Sequence, residues 1–228
     1  LPAVPEEVLS LPGVHYGIFT NGAVVRDFGK NTWVSESCLS WEETIRVIEV
    51  LRRHPVIYDM YVSEGGVSET RLLAQLEEYG IPERECAYIR ATRRAVTDMV
   101  EYLREKKCPV QKMNLNFKDR ESKQAVRAKL EAMPEVLVTS SLPWNLELNA
   151  AGITKGSGLR NLCQYLGIEA EETMAFGDGE NDWPMLEAAG IGVAMENGAP
   201  FLKERADRIA ASNREEGVAE AIRQWVLI

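Results

Sequence analysis

The chain has 228 residues, of which 45% are hydrophobic and 27% charged, and a formal net charge of −9. That is enough chain and enough apolar content for a sizeable core rather than a disordered polymer. The acidic balance excludes a general nucleic-acid binder, which needs a basic face to displace counterions.

No apolar run approaches the length of a membrane span, and the first residues carry no signal-peptide core. The four cysteines, Cys38, Cys86, Cys108 and Cys163, form no CxxC pair. The expected setting is cytoplasmic, with reduced thiols and neither a disulfide framework nor a zinc site. Residues 5–9 read as a helix start. Residues 14–19 read as a strand comparable to the later ones, ending at Thr20-Asn21-Gly22, where Asn21 and Gly22 suit a turn. A hairpin-like stretch follows to about Cys38. Ser40 with Glu43 makes a capping box for a helix over residues 41–53. Residues 56–62 are then expected as a strand, 68–79 as a helix, 98–106 as a helix, 110–117 as an alternating strand and 119–133 as a long amphipathic helix. Strands over 135–139 and 144–148 complete this middle part. Its basic residues Arg90, Arg93 and Arg94 are expected as solvated surface.

In the last third the pattern changes. A helix starts right after Gly152–Gly158, runs to Tyr165-Leu166 and stops at Gly167. A short apolar run over 173–176 enters Gly177-Asp178, a helix over 184–189 stops at Gly190, and 191–194 and 208–211 read as further strands, with 216–227 as a last helix. Such alternation indicates a parallel sheet covered by helices. The fold expected is therefore α/β, a Rossmann-like parallel-sheet core made of residues 1–39 and 149–228, with residues 40–148 as an inserted α+β module.

Two motifs carry chemistry. Gly177-Asp178-Gly179-Glu180-Asn181-Asp182 crowds carboxylates and an amide into a loop at the C-terminal end of a parallel strand, where ligands sit in open α/β sheets. Closely spaced carboxylates repel one another unless a cation neutralises them, and hard oxygens suit Mg²⁺. The plain alternative is a solvated acidic turn with Asn181 or Asp182 capping a helix. An EF-hand fails on spacing, since Trp183 stands sixth from Asp178 and Ala189 twelfth. The second motif is Gly152-Ile153-Thr154-Lys155-Gly156-Ser157-Gly158, which opens a helix. A lysine there opposes the helix macrodipole and makes sense if an anion lies between its ammonium and the helix amides; the alternative is a solvent-facing lysine in a flexible loop. Neither a Walker A loop nor a dinucleotide fingerprint is present.

Lys155-Gly156, the Gly177 to Asp182 loop, Met185-Leu186, Ala189-Gly190, residues 192–195 and Asn197-Gly198-Ala199 together resemble the late motifs of the haloacid dehalogenase superfamily, closest to its Cof-like, sugar-phosphatase-like branch. Asn21-Gly22-Ala23 and Asn145-Leu146-Glu147-Leu148 match that branch as well. The resemblance implies a Mg²⁺-dependent phosphohydrolase acting on a small phosphorylated metabolite, with residues 40–148 as its cap. It implies Asp178 as a Mg²⁺ ligand, Asp182 supporting that site without direct coordination, Lys155 neutralising phosphoryl oxygens, and Asn181 hydrogen-bonding the phosphate or orienting a group near it. It also implies an aspartate nucleophile in a DxDGT-like motif. No DxD pair occurs in the chain, and Asp59-Met60-Tyr61 lies inside the insert and does not substitute. The chain by itself is therefore expected to be inactive, with the N-terminal strand of the core missing. The alternative is a non-catalytic module on the same scaffold that binds a phosphate ligand or a protein.

Overall fold

Alternating polarity decides the architecture of the middle of the chain. In the computed structural model, which describes residues 4–227, Met113, Leu115 and Phe117 are buried and Lys112, Asn114 and Asn116 between them are half-buried. A strand with two unlike faces gives this pattern. Residues 1–3 and 228, the outer ends of the two core segments read from the sequence, lie outside the described residues.

In chain order the elements are α1 (Glu6–Leu9), β1 (Tyr16–Phe19), β2 (Val24–Asp27), β3 (Thr32–Glu36), α2 (Trp41–Leu51), β4 (Val56–Val62), β5 (Gly65–Glu69), α3 (Thr70–Leu73), α4 (Glu83–Thr92), β6 (Arg93–Val96), α5 (Met99–Lys106), β7 (Lys112–Phe117), α6 (Arg120–Glu131), β8 (Val136–Thr139) and β9 (Asn145–Ala150). They continue with α7 (Lys155–Leu166), β10 (Met174–Gly177), α8 (Trp183–Ala188), β11 (Ile191–Met195), α9 (Pro200–Lys203), β12 (Arg208–Ala210) and α10 (Gly217–Trp225).

The middle strands form one six-stranded sheet in the order β6-β5-β4-β7-β9-β8. Only β5 and β6 pair in parallel. Register sorts the two faces. Met60 and Leu148 both lie opposite Met113, and Tyr58 and Leu146 both lie opposite Leu115. This face joins the buried side chains of α2, α5 and α6 in one large apolar cluster. On the other face Asp59 and Glu147 flank Asn114, and Tyr61 lies opposite Lys112. Strand β9 is the clearest case: Asn145, Glu147 and Asn149 are buried polar residues, and Leu146 and Leu148 between them belong to the apolar cluster. Helix α2 starts where the sequence indicates, with the Ser40 hydroxyl accepting from the Glu43 N–H and the Glu43 carboxylate accepting from the Ser40 N–H. Its apolar spacing then buries Ile45, Ile48 and Leu51.

Residues 174–227 give a second, parallel sheet in the order β10-β11-β12, in which β10 is an edge strand. Its two faces carry separate small clusters, Ala175, Leu186, Ala194 and Leu202 on one and Val193, Met195, Ala210 and Ala221 on the other.

Two expectations change. The strand at residues 14–19 does not join the parallel sheet. It pairs antiparallel with β2 in a separate meander, β1-β2-β3. Residues 68–79 are not one helix: β5 runs to Glu69, α3 is one turn, and a 3₁₀ turn spans Leu76–Tyr79. Ser68 is held in the sheet by its hydroxyl, which donates to the Tyr58 carbonyl (3.1 Å), so strand pairing wins over helical spacing. Helix α4 and strand β6 have no counterpart in the sequence reading.

Candidate active site

Three chain segments meet at the end of β10: the loop after it, the start of α7, and the turn after β1. Lys155 is the first residue of α7. The helix is capped by Thr154, whose hydroxyl accepts from the Ser157 N–H (3.0 Å) while the Ser157 hydroxyl accepts from the Thr154 N–H (2.9 Å). Gly156 lets α7 lie against α8, since a Cβ there would stand 2.0 Å from the Pro184 carbonyl oxygen.

The anion beside Lys155 is Asp182. Its Oδ1 accepts from Lys155 Nζ at 2.5 Å, and its Oδ2 accepts from the backbone N–H groups of Asp178 and Gly179, both at 2.9 Å. Asp182 is buried, with 8% of its side chain exposed, against 30% for Lys155. One carboxylate thus folds the loop back on itself and holds the lysine. An ammonium has three donors, so two remain for another acceptor.

Asp178 lies at the rim. It is exposed, and its Oδ2 accepts from Asn197 Nδ2 (3.2 Å). Its carbonyl oxygen accepts from the Ala199 N–H (2.9 Å), so the Asn197-Gly198-Ala199 turn wraps its backbone. Among the described residues no group of three or more His, Cys, Asp and Glu side chains is arranged to hold a metal ion. The donors present fit a cation held by a single carboxylate. Mg²⁺ keeps much of its water and is bound through one or two carboxylates plus substrate phosphate, and Asp178 offers one such group. Asp182 has both oxygens committed and suits the supporting role.

Asn181 is buried and turned to the covering sheet. Its Nδ2 donates to Glu147 Oε2 (3.0 Å) and to Asn21 Oδ1 (3.4 Å). With both amide protons directed there, the atom left over is an acceptor, which repels a phosphate oxygen. Of the two roles expected for Asn181, this arrangement directs its amide to orienting Glu147 and Asn21 rather than to a phosphate, and it ties loop to sheet.

Glu147, noted in the sequence only as part of a matching motif, is the node of the site. Besides Asn181, its Oε2 accepts from Asn21 Nδ2 (2.9 Å), and its Oε1 accepts from Lys112 Nζ (2.6 Å) and the Ser141 hydroxyl (3.0 Å). Burial disfavours its charge, but the Lys112 ammonium and the hydrogen bonds from Lys112, Asn21 and Ser141 outweigh that and hold its carboxyl below the ordinary range. Asn149, two residues on and so on the same face, donates to the carbonyl oxygens of Thr20 (2.8 Å) and Gln111 (2.9 Å). Arg127 of α6 makes a second tie, to Glu180 of the loop (2.8 Å).

Asn21 does more than turn the chain. Thr20 (φ 48°), Asn21 (φ 57°) and Gly22 (φ 97°) are three successive residues in the left-handed region. A β-branched threonine there is a costly outlier, of the kind that persists where surrounding structure enforces it. Gly22 is required by contact as well as by φ, since a Cβ would lie 2.0 Å from the Thr154 carbonyl oxygen. The turn is thereby locked against the cap of α7, which aims the Asn21 amide at Glu147. The signal in the sequence was the Asn-Gly pair itself; its partner, 126 residues away, was not readable.

Asp59, in the insert, has its carboxylate taken up by Arg93 (3.1 Å) and Asn114 Nδ2 (3.0 Å). Arg93 is buried, at 8% exposure, contrary to its expected place on the surface, because Asp59, Thr92 and Tyr61 supply partners for its guanidinium. Arg90 and Arg94 pair with Glu77 and Glu64 at the surface. No helix among the described residues is long and apolar enough to cross a membrane.

The family of haloacid dehalogenase-like hydrolases matches residues 5–222. A Bacillus subtilis protein named 5-amino-6-(5-phospho-D-ribitylamino)uracil phosphatase YcsE is 42% identical over 116 residues, covering 51% of this chain and 47% of its own length. The chain thus spans about half or less of the curated relatives it matches. A solved haloacid dehalogenase-like hydrolase from B. subtilis superposes with a TM-score of 0.82 at 24% identity, covering 94% of this chain and 81% of that one. A subclass IIB sugar phosphatase of the superfamily gives 0.78 at 24% identity, covering 98% and 80%. At that identity these two speak for the fold, a core with a cap.

Proposed function

The chain belongs to the haloacid dehalogenase-like hydrolases, and on that footing we propose that it is the phosphate-handling part, with its cap, of a Mg²⁺-dependent phosphatase for small phosphorylated metabolites, sugar phosphates included. The observation that carries this is Lys155 held by Asp182, in the same loop that presents Asp178 at the end of β10. Lys155 keeps two donors for phosphoryl oxygens and stabilises charge there as it develops. Asp178 would hold Mg²⁺, which when bound neutralises phosphoryl oxygens. Asp182 fixes the loop and the lysine, while Glu147, Asn21 and Asn181 tie both to the sheet above. Residues 40–148 form the cap that covers the site, and residues 1–39 and 149–228 the core.

The nucleophilic aspartate of the aspartyl-phosphate step is proposed to come from residues outside these 228, since the sequence holds no DxD pair. The chain alone is then expected to hydrolyse no aryl phosphate, and acid-labile phosphate found covalently on it would refute this. The site itself is tested by thermal unfolding with and without Mg²⁺ plus inorganic phosphate. The expected result is a higher midpoint with both ligands, reduced in Lys155→Ala and in Asp178→Ala. An undiminished shift in both variants would remove the site.

A further inference from the structure

A cavity of about 320 Å³ lies between the β1-β2-β3 meander and the polar face of the six-stranded sheet. Phe19 and Trp33 line it from the meander, and Tyr61, Arg93 and Lys112 from the sheet, with Tyr88 of α4 beside them. It adjoins the site just described: Thr20, also in its wall, precedes Asn21, and Lys112 is the ion-pair partner of Glu147.

The cations on the sheet side already have partners. Arg93 is matched by Asp59 (3.1 Å), and Lys112 by Glu147 (2.6 Å). On the meander side Arg26 lies over the Trp33 ring, 5.3 Å from its centroid. What the walls offer instead is flat surface. The Arg93 guanidinium stands 4.5 Å from the centroid of Tyr61 and 5.9 Å from that of Tyr88, and Gly66 leaves room for it to lie along the sheet. Trp33 and Tyr88 remain 48% and 49% exposed, large rings left without an apolar cover. Polar groups are also available. The Tyr61 hydroxyl accepts from Arg93 and keeps its own proton to donate, and Thr20 Oγ1 is buried without a hydrogen-bond partner. Burial pushes the Tyr61 phenol up to about 12, so it stays a neutral donor.

We infer that this cavity holds a planar, uncharged, hydrogen-bonding ring carried by the leaving group of the substrate, that is, a heterocycle rather than a bare sugar or a short acid. The inference rests on the phosphatase reading above, in which the phosphate end sits at Lys155 and Asp178. Flat rings bind aromatic faces with either orientation of their edges, and the few polar groups then fix the orientation.

The test is calorimetric titration of the 228-residue chain, in Mg²⁺, with uridine 5′-phosphate and with ribose 5-phosphate, which share a phosphate and a pentose and differ in the ring. Stacking one base on an aromatic side chain corresponds to about tenfold or more in affinity, so uridine 5′-phosphate should bind at least about tenfold tighter. In Tyr88→Ala that advantage should fall to about threefold or less. Ribose 5-phosphate binding with no gain from the ring overturns the inference and leaves the phosphatase reading standing, as does an advantage that survives Tyr88→Ala in full. If neither ligand binds, both fall together.

Discussion

Replacing Glu147 by glutamine keeps the volume of the side chain and removes its charge from a site where 7% of it is exposed. Four donors converge on this carboxylate: Lys112 and Ser141 on Oε1, Asn21 and Asn181 on Oε2. An amide must present its NH₂ to one of those pairs, so two hydrogen bonds are lost and donors face donors. If the NH₂ takes the Oε1 side, it also strands the Lys112 ammonium, which is itself only 13% exposed. Hydrogen bonds to a charged group are worth about 1.5–3 kcal/mol each and do not add fully. Breaking a buried ion pair from one side costs about 3–5 kcal/mol. Glutamine retains one acceptor, so the expected loss is about 3 kcal/mol, read as a lower urea midpoint at pH 7. Adding Lys112→Met to Glu147→Gln removes the stranded cation and should restore about 1–2 kcal/mol. The pH dependence fixes the cause. A carboxyl whose pKa is lowered by folding stabilises fully above its unfolded-state value and loses that contribution as pH falls through the folded-state value. The ordinary glutamate value is 4.5 and Glu147 lies below it, so the gap between wild type and Glu147→Gln should be widest above pH 4.5 and narrow below it. A Glu147→Gln protein within about 0.5 kcal/mol of wild type at pH 7, or a gap that widens on acidification, would refute the reasoning.

Asp182→Asn should cost about 2 kcal/mol in the same urea assay, because the loop N–H groups of Asp178 and Gly179 and the Lys155 ammonium all lose a charged acceptor. Gly22→Ala should cost about 3 kcal/mol or more, through both its positive φ and the 2.0 Å approach to Thr154. Gly13→Ala, with nothing within 4 Å of the added Cβ, should stay within about 0.5 kcal/mol and serves as its control. Ser40→Ala should cost about 1 kcal/mol, since one hydroxyl caps the start of α2, and equal urea midpoints would remove that cap as a determinant.

The parts of this molecule that were legible in its sequence are those whose signals are local. Ser40 and Glu43 mark the start of α2, Gly167 marks the end of α7, and the alternation of Met113, Leu115 and Phe117 gives β7 with its buried face. Lys155 and Asp182 were singled out separately, and the fold brings them into contact across 27 residues. What the sequence hid depends on distant partners. Arg93 looked like surface because its compensating Asp59 lies 34 residues earlier, on a strand two places away in the sheet. The short strand β5 was masked by the helical spacing of the residues after it, and β1 looked like its parallel counterparts because strand direction is not written in one strand alone. Asn21 read as a turn because its partners, Glu147 and Asn149, come from the far side of the insert.

Strand β9 places Asn145, Glu147 and Asn149 on one face and Leu146 and Leu148 on the other, all buried. A slip of one residue against β7 would turn the carboxylate towards Met113 and Leu115 and put leucines where Asn21 and Asn181 need an acceptor. Both faces would be wrong at once, so a one-residue slip has no cheap version. Glu147 and Asn149, which bond to Asn21, Asn181 and the Thr20 carbonyl, therefore also proofread the assembly of the sheet, and a molecule that has its site in order has, by that fact, paired β9 with β7 in register.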